Sequence, residues 1–498
     1  MRQTKPAILS RRAAALLVIL GVFLGALVIA SKRLEVLCLD RVYYRRVKQA
    51  KEKLNVYEPA DGTQGGDKRL ASASVETSDR PNSISQPGCA QFPDTSNNLL
   101  VMKTGASEAF SRIPIQVLTN LKCLSDFLIF SDMEQEIAGY KIHDSLDKVL
   151  DSAKMGNADF SIYYRQRQCA VDQDNCNKHV DIAQEGWDLD KYKNIHIAEK
   201  AFRMRPSYDW YLFVDADTYV VWPTMVHWLN KLDHTEEMYF GSLAMLADFP
   251  FAHGGSGYVV SSAAMHGFFE GKDNVANLWD EATIGECCGD VMFAKALKEA
   301  TGIEVNDTWP TINGEKHFII PYSEEEWCQP ITTMHHVGSE ELSDIYAFER
   351  ERNFAFPMRI RDLYHQFVAP QLEPLRPDWD NTSSDVLYLN TSSAIYDDEQ
   401  LSKAKTQHLS HLEEMAHESF ESCRAACQAD KDCLQYRFHQ GICGFGMRIT
   451  HGHPKPREDD ALNRWMSGWD IDKIQAWVQK HDICDDKIDW PLVQTTPT

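Results

Sequence analysis

Apolar residues occupy both faces of one extended segment near the middle of the chain. Trp210, Leu212 and Val214 share one face, whereas Tyr211 and Phe213 point to the other. A strand that is apolar on both faces is typical of a sheet covered on both sides. The pattern therefore predicts a buried central strand.

Strand and helix patterns alternate around this segment. Strand patterns cover residues 99–104 and 126–132, and residues 238–246 have the pattern of a strand with a loop. Helical patterns cover residues 112–118, 187–205 and 225–232. Such alternation predicts an α/β fold.

Two aspartates follow the central strand. Asp215 and Asp217 project from the same face, with the small Ala216 between them. They could simply end the strand and cap a turn. Two carboxylates beside a buried strand are costly without a cation, however, and ligands collect beyond the carboxyl ends of strands in open α/β sheets. A divalent metal such as Mg, Ca or Mn is the natural partner.

Glycines and an acidic residue mark two later segments. Residues 254–257 are Gly-Gly-Ser-Gly, which permits a hairpin or a close approach of the backbone to a sugar. The segment is not a nucleotide P-loop, because no Lys-Ser or Lys-Thr follows the glycines. Asp290 precedes an apolar helix, where it could be the N-cap or a catalytic base.

Five further polar residues are candidates for the site. Asp132 ends its strand as a cap or as a nucleotide contact, and Lys191 and Lys193 are expected to be solvated helix charges close to the acidic pair. His335 and its neighbour His336 lie in a strand-like pattern. The pattern predicts that they point to opposite faces, so that at most one joins the aspartates.

Charge excludes one class of partner. The chain has 498 residues and a formal net charge of −22, which would repel the phosphate backbone of a nucleic acid. A phosphorylated substrate would therefore need local cations.

The amino terminus predicts a membrane anchor. An uncharged apolar run over residues 13–30 is flanked by basic residues, and it just reaches the length that a membrane-spanning helix needs. The basic short side predicts a cytosolic tail over residues 1–12, with residues 31–97 as a stem in the lumen. A cleaved signal peptide is the alternative, but the apolar run is long for one.

Cysteines and glycosylation sequons agree with a lumenal location. The chain has 13 cysteines, and sequons begin at Asn306, Asn381 and Asn390. Cys169 and Cys176 could close a short loop. The odd count leaves one thiol over, and Cys38 could join two chains as a homodimer.

The ordered motifs resemble a known family. They are residues 101–105, 130–132, 214–220, 254–258, 289–290 and 334–337. Together they resemble glycosyltransferase family 31, in particular the Fringe-like and core 1 β-1,3-galactosyltransferase branch of fungal type. The resemblance covers residues 98–370 and implies a GT-A fold, which is a Rossmann-like nucleotide-sugar-binding domain.

The resemblance also implies the chemistry of a metal-dependent transferase. It implies a UDP-sugar donor, Mn²⁺ and inversion at the anomeric carbon. Asp217 would be the main metal ligand, Asp215 a metal or donor contact, and His335 a further metal ligand. Asp290 would be the catalytic base.

The resemblance would also place Thr104 and Asp132 along the nucleotide. Lys193, Gly254 and Gly255 are further candidates for contact with the donor. Many relatives have a third acidic residue where this chain has Ala216. That departure bears on direct contacts to the sugar or ribose.

The carboxyl-terminal part predicts a second, small module. Residues 371–417 have the composition of a linker. A cysteine cluster follows in residues 418–498, at positions 423, 427, 433 and 443, where disulfides are expected rather than a zinc site. Its spacing resembles a PAN/Apple module. Trp465, Trp469, Trp477 and Trp490 are expected in its core, with a sugar-stacking surface as the alternative.

Three functions are compatible with the sequence. The leading hypothesis is a Golgi type II membrane enzyme that transfers a hexose, galactose by analogy, from UDP to a glycan or glycoprotein acceptor. The alternatives are a catalytically silent glycan- or glycoprotein-binding protein and a metal-dependent nucleotide-sugar hydrolase.

Overall fold

The computed structural model describes residues 88–169, 172–390 and 396–493 of the 498-residue chain. These residues belong to one compact unit, Thr77–Thr498. The predicted tail, the anchor over residues 13–30, most of the stem and Cys38 lie outside the described residues. Among the helices of the described part, none combines the length and the apolar character needed to cross a membrane.

Nineteen strands occur in the described residues. They are β1 (Asn98–Lys103), β2 (Phe127–Ser131), β3 (Gln135–Ile137), β4 (Tyr140–Asp144), β5 (Trp210–Asp215), β6 (Tyr219–Val220), β7 (Tyr239–Gly241), β8 (Leu243–Leu246), β9 (Phe249–Ala252), β10 (Tyr258–Ser261), β11 (Asn306–Asp307), β12 (Thr333–Met334), β13 (Arg376–Pro377), β14 (Trp379–Asp380), β15 (Val386–Tyr388), β16 (Gln435–His439), β17 (Ile442–Gly446), β18 (His453–Pro454) and β19 (Met466–Trp469).

The α-helices of the same residues number fifteen. They are α1 (Ala109–Leu118), α2 (Asp151–Lys154), α3 (Ser161–Gln168), α4 (Gln173–Asn177), α5 (Ile182–Asp190), α6 (Lys193–Met204), α7 (Trp222–Leu229), α8 (Ser262–Phe269), α9 (Gly289–Thr301), α10 (Ser339–Glu351), α11 (Ile360–Leu363), α12 (Asp398–Lys403), α13 (His411–Glu414), α14 (Phe420–Ala429) and α15 (Ile471–His481).

A mixed eight-stranded sheet forms the centre of the α/β part. Its order is β11-β7-β10-β5-β1-β2-β4-β3. Strands β5, β1, β2 and β4 run parallel, whereas β10 is antiparallel to both β5 and β7. This mixed α/β architecture fits a GT-A fold, and it confirms the three strands predicted around residues 99–104, 126–132 and 210–214.

Apolar clusters cover both faces of the central sheet. Tyr211 and Phe213 pack into one cluster, and Leu212 and Val214 pack into the other. The alternation along β5 therefore places its side chains as predicted. Burial of this strand is nearly complete, which makes the sheet a rigid support for the residues at its carboxyl end.

Two predicted helices differ from the structure. The pattern over residues 187–205 forms two helices, because α5 ends at Asp190 and α6 begins at Lys193. The predicted helix over residues 225–232 begins three residues earlier, at Trp222. Pro223 lies in its first turn, where a missing N–H costs no hydrogen bond.

The carboxyl-terminal part forms a five-stranded sheet in the order β13-β19-β16-β17-β15. Its neighbouring strands are all antiparallel. Residues 376–388, within the segment predicted as a linker, supply three strands, so composition was misleading there. Polar side chains such as Asn381 explain this, because its buried amide donates to the backbone carbonyls of Tyr436 and Gly468.

Six disulfides are formed by the described cysteines. They are Cys89–Cys123, Cys169–Cys176, Cys287–Cys288, Cys328–Cys484, Cys423–Cys443 and Cys427–Cys433. The short loop predicted at Cys169 and the disulfide chemistry predicted for residues 423–443 are confirmed.

Aromatic packing joins the carboxyl-terminal sheet to the α/β part. Trp477 packs edge-on against Trp327 at 5.1 Å between ring centroids, and Tyr322 pairs with Ile449 through a β-bridge. Trp469 is fully buried, as expected of a core residue. The two parts therefore share one apolar cluster.

Candidate active site

The carboxyl ends of β1, β2 and β5 bring several polar residues to one edge of the central sheet. Lys103 and Asp215 are register partners on the parallel strands β1 and β5. Thr104 follows β1, and Asp132 follows β2. The strand-end positions predicted from sequence therefore meet at one edge.

Asp217 is the centre of a carboxylate–imidazole group. Its Oδ1 lies 3.2 Å from Nε2 of His335, and its Oδ2 lies 3.9 Å from Nδ1 of His336. One ligand atom from each of these three residues falls within 4.8 Å of the others. The guanidinium of Arg112 approaches Oδ2 of Asp217 at 3.8 Å.

A short strand pair assembles this group from distant parts of the chain. Tyr219 on β6 pairs with Met334 on β12, and the amide of Val337 donates to the carbonyl of Asp217 at 2.9 Å. The prediction that the two histidines point to opposite faces is wrong. Strand β12 ends at Met334, and His336 has a φ of 58°, so the chain turns and both rings approach Asp217.

Burial and neighbouring charges set the ionisation of the group. Burial would raise the pKa of Asp217, but the hydrogen bond and charge of His335 and the charge of Arg112 hold it well below its usual range. Burial would lower the pKa of His335, but Asp217 raises it overall. Burial and the charge of His335 lower the pKa of His336 to about 4, so this imidazole is neutral at neutral pH.

Gly254 and Gly255 lie between Asp217 and Asp290. A Cβ on Gly255 would lie 2.1 Å from Cε1 of His335, and a Cβ on Gly254 would lie 3.3 Å from the Cβ and Oδ2 of Asp290. The carbonyl of Gly255 also accepts a hydrogen bond from the Thr218 hydroxyl at 2.7 Å. The glycines therefore allow one loop to touch two chemical groups, whereas their predicted contact with the donor stays a prediction.

Asp290 occupies the first turn of α9 rather than its N-cap. The N-cap is Cys288, whose side chain makes no capping hydrogen bond. Oδ2 of Asp290 accepts from the Gly254 amide at 2.9 Å, and Oδ1 accepts from the Val291 amide at 2.9 Å. Burial raises the pKa of this carboxyl against the opposing effects of His253 and the Gly254 amide. Such a carboxylate has the raised proton affinity that a general base needs.

Two lysines expected in solvent are buried. Nζ of Lys193 lies 3.1 Å from the Thr104 carbonyl, 3.4 Å from Asp132 and 3.3 Å from Asp190. Lys191 pairs with a different carboxylate at 2.8 Å. Burial would lower the pKa of Lys193, but its two carboxylate partners raise it overall, so the ammonium keeps its charge.

Asp215 lies next to this lysine network and outside the Asp217 group. Its Oδ1 is 3.3 Å from Nζ of Lys103, which also pairs with Asp190. Asp132 is similarly engaged, because its Oδ1 accepts from the Ala106 amide at 2.7 Å. The roles expected of Asp215 and Asp132 at a metal or nucleotide stay predictions.

Several site residues were missed from the sequence. Lys103 is the penultimate residue of the predicted strand over residues 99–104, so the strand-end rule that selected Asp132 could have found it. Asp190 and Arg112 lack such a signal, because only the tertiary fold brings their helices to this edge. His253 directly precedes the two glycines, and no sequence pattern distinguishes it.

The Asp217 group fits a divalent metal. One carboxylate and two imidazoles suit first-row divalent metals. The second ring nitrogen of His335, Nδ1, is buried and has no hydrogen-bond partner in the described residues. The residues present therefore fit a divalent metal ion.

Comparison with known proteins bears on the same residues. Residues 157–300 match the family model described as Fringe-like. No curated protein matches the chain. The matched segment contains β5, both aspartates of the acidic pair, the Gly254–Gly255 loop and Asp290. Residues 157–300 therefore match part of a Fringe-like glycosyltransferase domain, and this match supports the resemblance to glycosyltransferase family 31.

Proposed function

We propose that the protein transfers galactose from UDP to a glycan or glycoprotein acceptor in β-1,3 linkage, with inversion and with Mn²⁺ as cofactor. The supporting observation is the arrangement around one loop. Gly255 touches His335 of the Asp217 group, and Gly254 donates to Asp290. A metal-binding group and a candidate base thus lie against neighbouring residues, as displacement of a diphosphate by a hydroxyl requires.

Positive charge at the site would meet the diphosphate. Asp217, His335 and His336 would hold the metal, which when bound supplies charge neutralisation for the UDP leaving group. Arg112 adds a guanidinium on the same side, 3.8 Å from Asp217. These cations matter because the whole chain carries a net charge of −22.

Asp290 would act as the general base. Its two hydrogen bonds to backbone amides fix the carboxylate, and burial raises its proton affinity. It would take the proton from the acceptor hydroxyl as that oxygen attacks the anomeric carbon on the face opposite UDP. Because UDP departs without needing a proton, one carboxylate suffices, unlike the acid–base pair of a glycosidase.

Two features outside the central sheet complete the proposal. Residues 13–30 would anchor the enzyme in the Golgi membrane as a type II protein, with the basic flanks setting the orientation. The carboxyl-terminal sheet with Cys423–Cys443 and Cys427–Cys433 would be a PAN/Apple-like module that holds glycoprotein or glycan. A homodimer through Cys38 stays a prediction.

A donor screen tests the proposal directly. The purified chain is incubated with Mn²⁺, a panel of UDP-sugars and candidate acceptors, and both product and free UDP are measured. Transfer from UDP-galactose with a β-1,3 product is the expected result. UDP release without an acceptor would instead indicate a hydrolase, and glycan binding without turnover would indicate a silent binding protein.

Two variants separate the assigned roles. Asp217→Ala is expected to lose Mn²⁺-dependent UDP binding, measured by calorimetry. Asp290→Asn is expected to retain that binding and to lower transfer by about 10²- to 10⁴-fold, the usual contribution of a general base. Asp273→Asn is the matched control, because its side chain is 90 % exposed and outside the site. A fully active Asp290→Asn enzyme would remove the assigned base.

A further inference from the structure

The bond between Cys287 and Cys288 joins adjacent residues immediately before α9. The other disulfides among the described residues join cysteines at least 6 positions apart. A bond between neighbours closes almost no loop, so it restricts the unfolded chain very little. Its effect must therefore be local, on the peptide that it encloses and on the residues that follow.

That peptide leads directly to Asp290. Cys288 is the N-cap of α9, with an extended backbone (φ −144°, ψ 134°), and its side chain is not available as a hydrogen-bonding cap. Both cysteines are half-buried and pack against the apolar cluster that includes residues of α6 and α9. The ring formed by the bond is thus fixed to the core one residue before Gly289 and two before the carboxylate.

Tight contacts surround the first turn of α9. A Cβ on Gly289 would lie 2.6 Å from Oδ1 of Asn194 and 3.1 Å from the carbonyl of Lys191. On the other side, the Asp290 carboxylate is 2.9 Å from the Gly254 amide. The helix therefore starts in a narrow gap between α6 and the glycine loop. A change in its direction would move the carboxylate off the loop.

We propose that the Cys287–Cys288 disulfide is a positioning element that holds the first turn of α9 so that Asp290 stays bonded to the Gly254 amide. The proposal rests on the role assigned to Asp290 under the proposed function. The disulfide itself takes no part in the reaction, and neither sulfur is oxidised or reduced during turnover.

Loss of the bond has a consequence for the acidity of Asp290. The Gly254 amide lowers the pKa of this carboxyl, against the larger effect of burial. His253 and Lys103 also lower it, while burial and the Asp290 charge raise the pKa of Tyr239 and Tyr258. Weakening the Gly254 hydrogen bond removes one effect that lowers the pKa of Asp290 and leaves the other groups in place. The pKa of Asp290 therefore rises, and the acidic limb of the pH–rate profile moves to higher pH.

The test begins with the bond and the backbone. Peptide mass mapping without reduction should show residues 287 and 288 linked in the purified chain, and two free thiols would overturn the proposal. Hydrogen–deuterium exchange then compares the chain with a Cys287→Ser/Cys288→Ser double variant. Faster exchange is expected in peptides that contain residues 253–255 and 289–293. Unchanged exchange there would also overturn the proposal, whatever the activity.

Kinetics provide the second readout. The double variant should keep Mn²⁺-dependent UDP affinity, lose about tenfold or more in kcat and shift the acidic limb upward, because a misplacement of about 1 Å can cost about 10²-fold. Cys169→Ser/Cys176→Ser is the control, since it removes another short-range disulfide in a segment that holds none of the site residues. A positioning role would be contradicted if the double variant lost UDP affinity as strongly as kcat. It would also be contradicted if the control variant lost as much kcat as the double variant.

The two proposals can fail separately. If the unmodified chain transfers no sugar from any donor but the exchange result appears, the proposed function fails and the positioning effect stands. If transfer occurs and the double variant matches the unmodified chain in exchange, kcat and pH profile, the positioning proposal fails alone. Should the double variant unfold, the single Cys287→Ser and Cys288→Ser variants carry the same comparison.

Discussion

Gly255 limits where the His335 ring can lie. In a Gly255→Ala variant the new Cβ would lie 2.1 Å from Cε1, 2.5 Å from Nε2 and 2.7 Å from Nδ1 of His335. Ordinary contact begins at 3.4 Å, so the ring must retreat by about 1.3 Å. A metal ligand is held to within about 0.2 Å of its ideal distance. The displaced imidazole therefore could not bind the same metal ion as Asp217.

The expected result is a loss of metal affinity. Removing one effective ligand should weaken Mn²⁺ binding by at least about 10- to 100-fold, the loss caused by disturbing even a supporting contact of a ligand. This corresponds to about 1.4 to 2.7 kcal/mol. Isothermal titration of Mn²⁺ into the metal-free chain measures it, and His335→Ala should give a similar loss.

Two other glycines provide matched controls. A Cβ on Gly186 in α5 would have no neighbour within 4 Å, so Gly186→Ala should leave Mn²⁺ affinity unchanged. A Cβ on Gly254 would lie 3.3 Å from Asp290, so Gly254→Ala should affect transfer more than metal binding. A folded Gly255→Ala variant with normal Mn²⁺ affinity would refute the assignment of His335 as a ligand held by the loop.

Three further predictions concern buried polar residues. Burial raises the pKa of Glu349 to about 8, although the Tyr219 hydroxyl and a nearby arginine oppose this effect. The neutral carboxyl therefore contributes its full stability below about pH 4.5, and this stability is lost as the pH rises through 8. Glu349→Gln should therefore flatten the fall in unfolding free energy between pH 5 and 8 by up to about 1.4 kcal/mol per pH unit, and parallel urea curves for the two proteins would contradict this. Asn381 is 0 % exposed, so peptide mapping of folded, secreted protein should find no glycan there, whereas a glycan is expected at the exposed Asn390. Lys193→Met should destabilise the fold by about 3 kcal/mol or more in urea unfolding, because it leaves buried carboxylates unpaired, and a loss below about 1 kcal/mol would be inconsistent with that pairing.

Local patterns were sufficient for the central sheet. The two-residue period through Tyr211 and Leu212 correctly predicted a strand buried on both faces, and the same rule found β1 and β2. Side-chain alternation along a strand is a property of the backbone alone, so it needs no knowledge of distant residues. The acidic pair could be placed at the strand end for the same reason.

Composition was a poorer guide where polar residues are buried. Residues 376–388 have the composition of a linker, but they form paired strands. Lys193 lies in a segment with the sequence pattern of a surface helix, but its side chain is buried and the residue is 2 % exposed. Polar side chains can be buried when each finds a partner. Those partners are distant in sequence, so composition could not reveal them.

Sequence patterns alone predicted the strand that leads into Asp215 and Asp217, the α/β class and the disulfide chemistry of the carboxyl-terminal cysteines. The tertiary fold, in contrast, brings His336 beside His335 at Asp217 and places one glycine loop against both this group and Asp290. The physical reason is that these contacts depend on a left-handed backbone at residue 336 and on pairing between strands about 110 residues apart. Neither feature is encoded by periodicity within a single segment.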